Sequence, residues 1–403
     1  MASGITRSQR LVLASVCAVA VSTIYGIQPV IEPAGAELGL SPQSSGLLVA
    51  AGQIGYFAGL MLLVPLGDVV NRRRLIGGLL ALTAVGAAIT AAAPNGVVAV
   101  AGLAMTGLFA VVVQVTVAYV AAASAPGERG SNIGAVTSGV VIGILGARVV
   151  AGVLGDMLGW RSVYVVLAVL CAMLALVTRG GLDPDVRTSD KRYTQILRSM
   201  GHLVATDRLF LSRGLITFFL FASFGTLWSG LALPLGAQPW SFGTTEIGLF
   251  GLVGLAGALG ARRAGRWADA GRAPAITGWS LLALAASWLL IARTGPTLAS
   301  LVIGIVVLDF AVQAVHVSSQ HLLTTAHPDR AGSVIGAYMA CYSLGSALGA
   351  ITTAWAYTSW GWWASCVTGA FYAVAGLVVW GFATAGTRGR QPVKVPDLRA
   401  RTN

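Results

Sequence analysis

Stretches of about twenty apolar residues, separated by short breaks rich in glycine, proline and charge, recur twelve times along this chain. A helix needs about twenty residues to cross a hydrocarbon core of roughly 30 Å, and within that core every backbone N–H and C=O must be bonded inside its own segment. The pattern therefore predicts an all-α membrane protein with twelve transmembrane helices. The expected spans are 11–31, 43–66, 74–93, 97–122, 131–155 and 161–178, then 211–234, 245–264, 274–293, 297–322, 332–356 and 361–384. Apolar residues make up 56% of the 403 positions and charged residues 10%, against roughly 45–50% and 25% in a soluble domain. The first block follows Arg7 and Arg10 as a signal peptide would. It is long, lacks a convincing cleavage site and precedes eleven similar blocks, so it reads as an uncleaved span.

The net charge of +12 would suit nucleic acid only if it formed a basic face on a packed soluble domain, and the blocks leave no room for one. Its distribution points to a bilayer instead. Of 26 Lys and Arg residues, 23 fall in segments on one side of the expected spans, including Arg72, Arg73, Arg74, Arg129, the central segment and the tail. The positive-inside rule then places both termini in the cytoplasm. Cys17, Cys171, Cys341 and Cys366 lie within apolar blocks without metal-ligand spacing and read as small packing residues. No metal cluster, nucleophile motif or phosphate loop is present in the sequence, so neither a cofactor nor enzymatic activity is expected.

Residues 179–210 form the one long polar stretch inside the chain, separating a bundle over 1–178 from a second over 211–384, with a tail over 385–403. An internal repeat supports the division. Asp68 and Asp269 stand 201 residues apart, each in a turn followed by arginine; Gln114 and Gln313 are 199 apart. Arg129 and Arg330 are separated by 201 residues, and Gly159-Trp160 and Gly361-Trp362 by 202. Two homologous six-helix halves are expected. Gly139-x-x-x-Gly143 and Gly345-x-x-x-Gly349, in matching spans, are expected to let helix backbones approach closely. Trp355, Trp360, Trp362 and Trp363 read as an interfacial belt.

The loop Val64-Pro65-Leu66-Gly67-Asp68-Val69-Val70-Asn71-Arg72-Arg73 resembles the signature loop of the major facilitator superfamily. Val64 and Asn71 stand where that signature usually has glycine, whereas the second copy keeps Gly265, Asp269, Gly271 and Arg272. The resemblance implies two pseudo-symmetric six-helix bundles that rock about a central cavity, and a monomer. It also implies that Asp68, supported by Arg72 and Arg73, and in the second copy Asp269 and Arg272, latch the cytoplasmic side shut. Tyr25-Gly26-Ile27-Gln28-Pro29 and Gln53-Ile54-Gly55-Tyr56 are similar to segments of the bacterial drug and metabolite exporters, the arabinose-efflux-permease-like branch. Two features of that branch are missing: the fourth span has no arginine, and the glycine-proline antiporter pattern of the fifth survives only as Gly139 and Gly143.

Inside the spans, Asp309 is the one acid near the middle of a block, where an ionised carboxylate costs roughly 2.5–3.5 kcal/mol on insertion scales. Asp309, Gln313, His316 and Gln320 follow spacings of four, three and four. At 100° per residue they fall within about 60° of one another. The resemblance makes the first, fourth, seventh and tenth helices the cavity lining, which gives this stripe a wet surface to face, opposite Gln114. Tyr25, Gln28, Gln53, Tyr56, Gln313 and Gln320 are further lining candidates. Asp309 is then a proton-coupling or cation-binding carboxylate, with His316 as a relay, although a stripe that only joins helices is the competing reading. Arg148, in the fifth span, is expected to reach either Asp309 or an anionic substrate group, or else to snorkel outward toward Asp156. The expected function is proton-driven efflux of small amphipathic drugs or metabolites across a bacterial cytoplasmic (inner) membrane. Uptake of a sugar or other nutrient is the alternative, and a membrane receptor or enzyme a distant third.

Overall fold

Short polar side chains fix where the helices begin. The computed structural model describes residues 5–124, 128–182, 193–260, 273–294, 297–327 and 331–388. The first span, Arg7–Tyr25, opens with a capping box in which Thr6 accepts from the Gln9 backbone and the Gln9 side chain returns to the Thr6 N–H. Asn71, Asn95, Asp207 and Thr297 likewise accept backbone N–H groups at the starts of the third, fourth, seventh and tenth spans, Arg72–Ala91, Gly96–Ala123, Arg208–Gly230 and Leu298–Ala326. Each cap satisfies a donor that no helical carbonyl can reach.

The remaining spans are Gly46–Leu62, Arg129–Leu158, Trp160–Gly181, Thr244–Gly260 and Ala273–Ile291, followed by the long helix Ala331–Arg388. That last helix is broken at Gly361 into an eleventh and a twelfth span. Gly361 has φ 76° and Gly159, its repeat partner between the fifth and sixth spans, has φ 79°. Both occupy a region that only glycine adopts without strain, which gives the Gly-Trp landmark of the repeat a physical reason.

Two sequence expectations need correction. The first span ends at Tyr25 rather than near residue 31, because Gly26 and Pro29 follow and a proline both lacks an N–H and pushes its predecessor out of the helical region. The chain instead turns and forms a short helix, Ile31–Glu37. The central segment also contains a helix, Tyr193–Thr206, where only a polar hinge was expected. Ile196, Leu197, Met200, Leu203 and Val204 recur there with helical spacing.

The spans pack as two bundles. In the first, the first span meets the fifth, the second the fourth and the third the sixth; in the second, the seventh meets the eleventh and twelfth, and the tenth meets the eighth and ninth. A side chain at Gly139 would strike the Ala14 carbonyl and one at Gly143 the Ala18 carbonyl; one at Gly345, 202 residues after Gly143, would strike the Phe218 carbonyl, so helix backbones touch at matching places in both bundles. Between bundles the second span packs on the eleventh and the fifth on the eighth. Those two contacts exchange when the halves are swapped, which is the mark of the pseudo-twofold arrangement.

Candidate functional site: a central cavity with a buried acid

A cavity of about 420 Å³ lies between the bundles. Tyr25, Gln53, Tyr56 and Gln114 line it from the first bundle, and Asp309, Gln313, His316 and Gln320 from the second. Phe221, Phe224 and Tyr342 complete the second wall. The tenth-span stripe thus faces the cavity. Gln28 and Arg148, the other two intramembrane candidates, lie beside it and contact each other: Arg148 Nε donates to Gln28 Oε1 at 3.0 Å.

Asp309 is 3% exposed, and its Oδ2 has no hydrogen-bond partner. Room for it comes from the eighth span. A methyl group added at Gly254 would come within 3.1 Å of Asp309 Oδ2, and one at Gly257 within 3.0 Å of its Cβ. The same Gly254 methyl would lie 2.8 Å from the Trp228 ring, so the carboxyl group sits between an indole and bare backbone. Periodicity could not have singled out Gly254, Gly257 or Trp228, because their importance lies in what another helix brings to them.

Arg148 is 2% exposed, ten residues before the end of its helix and hence about 15 Å from it along the axis. Its guanidinium stacks 3.9 Å from the centroid of the Trp228 ring, across the bundle interface, and Nη1 donates to the Ile144 carbonyl at 3.2 Å. Indole stacking of this kind gives a buried cation a partner other than a carboxylate. No ion pair joins Arg148 to Asp309, but each lies within electrostatic range of the other, with Trp228 contacting both. Nη2 makes no hydrogen bond.

Further along the tenth span, His316 is held from both sides. Gln320 Nε2 lies 3.1 Å from its Nε2, and Tyr338 Oη lies 3.1 Å from its Nδ1. An amide N–H can only donate, so Nε2 accepts, Nδ1 carries the proton and donates to Tyr338. In the opposite wall Gln114 Nε2 reaches Tyr56 Oη at 3.4 Å, and Gln53 Oε1 accepts from Ser343 across the interface at 3.4 Å. Gln53 Nε2 is buried without a partner.

The cavity continues toward the basic face, the side of Arg72 and Arg129. A second space of about 560 Å³, bordered by Pro65, Arg72, Arg129, Thr324 and Gly336, shares Gln114, Val117, Ile133 and Ile335 with the first. The far face is shut. There Asp156 of the fifth span accepts from the backbone N–H groups of Thr244 at 3.0 Å and Thr245 at 2.8 Å, capping the eighth span across the interface. Thr244 Oγ1 adds a contact of 2.7 Å to the same carboxylate. On the other side Gly46 packs against the Ala350 backbone. Sequence reasoning gave Asp156 only as an outlet for Arg148, and its own cap was missed because the helix it caps begins 88 residues later.

Of the latch candidates, Asp68 ends a 3-10 turn, Val64–Asp68. Arg72 is buried at the start of the third span, and Arg73 donates to the Arg179 carbonyl within its own bundle. Asp269 and Arg272 lie outside the described residues.

Comparison with known proteins agrees with this architecture. "Uncharacterized transporter YgaY" of Escherichia coli O157:H7 is 40% identical over 361 residues, covering 90% of this chain and 92% of that protein. "Probable transporter SCO4007" of Streptomyces coelicolor is 33% identical over 378 residues, covering 93% and 87%. Among solved structures, a bacterial homologue of the human lysosomal transporter Spinster, in an inward-facing and occupied conformation, superimposes with a TM-score of 0.81 over 98% of this chain and 100% of that one, at 17% identity. The profile of the Major Facilitator Superfamily matches residues 11–269 and again 214–400, the second match overlapping the repeat. The chain is therefore a member of the Major Facilitator Superfamily of membrane transporters.

Proposed function

We propose that this transporter exports small, weakly polar molecules across a bacterial cytoplasmic membrane in exchange for protons, with Asp309 as the coupling carboxylate and the basic face in the cytoplasm. The single observation that carries the reading is Asp309 itself: an acid at the cavity wall, 3% exposed, with an unpartnered oxygen. A carboxyl group that faces one side of the membrane and then the other can take up one proton and release it once per cycle. Taken out of water, such a group is held charged only where a cation or donor answers it. Arg148 is near enough to feel that charge and is anchored by Gln28 and Trp228 instead of being neutralised by it.

The lining supports a substrate class. Glutamines and tyrosines offer hydrogen bonds, Phe221 and Phe224 offer apolar surface, and no lysine or arginine is among the described lining residues. A neutral or cationic molecule with an aromatic or aliphatic body suits that wall better than an anion. Substrate enters from the basic face in the state described above. Closure of that side, with Asp68, Arg72 and Arg73 drawn to the opposite bundle, and opening of the Asp156 cap then release it on the far side.

Inside-out vesicles carrying the protein test this directly. With Hoechst 33342 as the probe and an imposed gradient acid inside, dye is expected to accumulate, and collapse of the gradient is expected to stop it. Accumulation only in right-side-out vesicles would favour the uptake reading. Accumulation indifferent to the gradient would remove the proton from the mechanism.

A further inference from the structure

A groove of about 480 Å³ runs along the outside of the first bundle, between the first and fifth spans. Its origin is the glycine contact already described. Gly139 and Gly143 bring the fifth helix against the backbone of Ala14 and Ala18, so two cylinders meet without side chains between them and leave a trough beside the line of contact. Ala14 and Ala18 form its floor. Leu11 and Ile142, which are 63% and 65% exposed, form its apolar edges.

The groove is separate from the transport cavity. On the fifth span Ile133, Thr137, Val140 and Ile144 face the cavity, whereas Ser138, Gly139 and Ile142 face the groove. At 100° per residue the two sets point in roughly opposite directions. The groove therefore looks outward, toward lipid. From Arg7 to Ala18 it follows eleven residues of helix, about 16 Å, close to one leaflet of a hydrocarbon core roughly 30 Å thick.

Its end at the basic face is cationic. Arg7 and Arg10 border it there, and no acidic residue is among its described lining residues. Arg10 is set in place by a hydrogen bond from Nη1 to the buried Asn132 Oδ1 at 3.3 Å. Arg7 lies at the exposed rim. Two guanidinium groups at headgroup level, above an apolar trough of one leaflet's length, match a molecule with an anionic head and a hydrocarbon tail. We propose that this groove is a binding site for an anionic phospholipid, whose phosphate sits between Arg7 and Arg10 and one of whose acyl chains lies along Leu11, Ala14, Ala18 and Ile142.

The full chain, purified in a neutral detergent, can be titrated with phosphatidylglycerol and phosphatidylcholine of identical acyl chains and the retained lipid counted by native mass spectrometry. Wild type is expected to retain phosphatidylglycerol at least about fivefold over phosphatidylcholine. Arg7→Gln with Arg10→Gln brings that ratio near one. Because Arg10 also bonds Asn132, Arg7→Gln alone serves as the milder variant and is expected to lower the ratio at least about twofold. Ser15→Phe, which fills the trough and leaves both arginines, is expected to lower phosphatidylglycerol retention at least about threefold. Arg208→Gln, at the exposed start of the seventh span, leaves it unchanged. Equal retention of the two lipids by wild type would overturn the proposal. So would full retention in Ser15→Phe, which would reduce the effect to surface charge, or a loss in Arg208→Gln as large as in the Arg7 variants. Complete displacement by inorganic phosphate at millimolar concentration would show that the tail contributes nothing, and would overturn it equally. If Ser15→Phe retains less lipid only because transport and elution profile collapse together, Ala18→Leu replaces it, with the same outcomes.

Discussion

In the fourth span the cavity meets Val113, Gln114 and Val117; in the tenth, its counterpart in the repeat, it meets Asp309, Gln313, His316 and Gln320. Gln114 and Gln313 face the same space from opposite walls, as their offset in the sequence requires. The acid and the histidine have no equivalents. A similar imbalance holds between the fifth and eleventh spans: Arg148 stands in the first, whereas Ala350, 202 residues on, packs tightly against Gly46. The duplicated scaffold dictates which positions face the centre, and the charges then break the symmetry, with the cation on one bundle and the carboxyl group on the other. In the exchange proposed above, rocking the bundles would change the distance between those two groups, and through that distance a proton on Asp309 would be felt across the interface.

Removing the cation breaks that asymmetry most severely. Arg148→Leu removes the cation within electrostatic range of Asp309, which favours a permanently protonated carboxyl group, and leaves Gln28 without its donor. Transport in the vesicle assay is expected to fall at least about tenfold, equivalent to roughly 1.4 kcal/mol in the barrier. Arg148→Lys keeps the charge but not the planar stack on Trp228 or the fork to Gln28 and Ile144, so it should recover only part of the rate. Full activity in the lysine variant would show that charge alone matters. Next in size is Gly254→Val, which pushes Trp228 and Asp309 apart. A fall of about fivefold in transport with normal expression is expected, close to 1 kcal/mol, and an unchanged rate would mean that the spacing of the eighth and tenth spans is not critical.

The far gate sharpens the comparison differently, since it is polar on one flank and tightly apolar on the other. Asp156→Ala deletes a helix cap worth about 1 kcal/mol on the polar flank alone. The population open to the far face should rise about fivefold, read as faster labelling of Ile24→Cys by an impermeant maleimide added from that side. Unchanged labelling would assign gate stability to the Gly46–Ala350 contact. The smallest effect is expected at His316. Its two ring nitrogens are already occupied by Gln320 and Tyr338, so His316→Gln should cost about 1 kcal/mol of stability at most and leave the shape of the pH profile of transport intact. A displaced profile would restore the histidine to a relay role.

The spans were legible because a bilayer imposes one length on every crossing helix, and the repeat because it imposes one offset. The tenth-span stripe was legible too, since its four members share a face of a single helix. What escaped were the groups supplied from elsewhere in the chain. Trp228 reaches Arg148 from the seventh span, Gln28 reaches it from the turn that follows the end of the first helix at Tyr25, and Gly254 makes space for Asp309 from the eighth. Periodicity describes one helix at a time, whereas this site is assembled where several meet. The helix Tyr193–Thr206 escaped for another reason: its apolar pattern is short and is flanked by charge, so the segment resembled a loop in overall polarity.

Proton flux measured alongside substrate flux tests the central claim most directly. In proteoliposomes enclosing a pH-sensitive dye, addition of substrate should drive protons across the membrane in wild type. Asp309→Asn should abolish that proton movement while substrate still equilibrates down its own gradient. Protons that continue to move with substrate in Asp309→Asn, at every pH tested, would contradict the account.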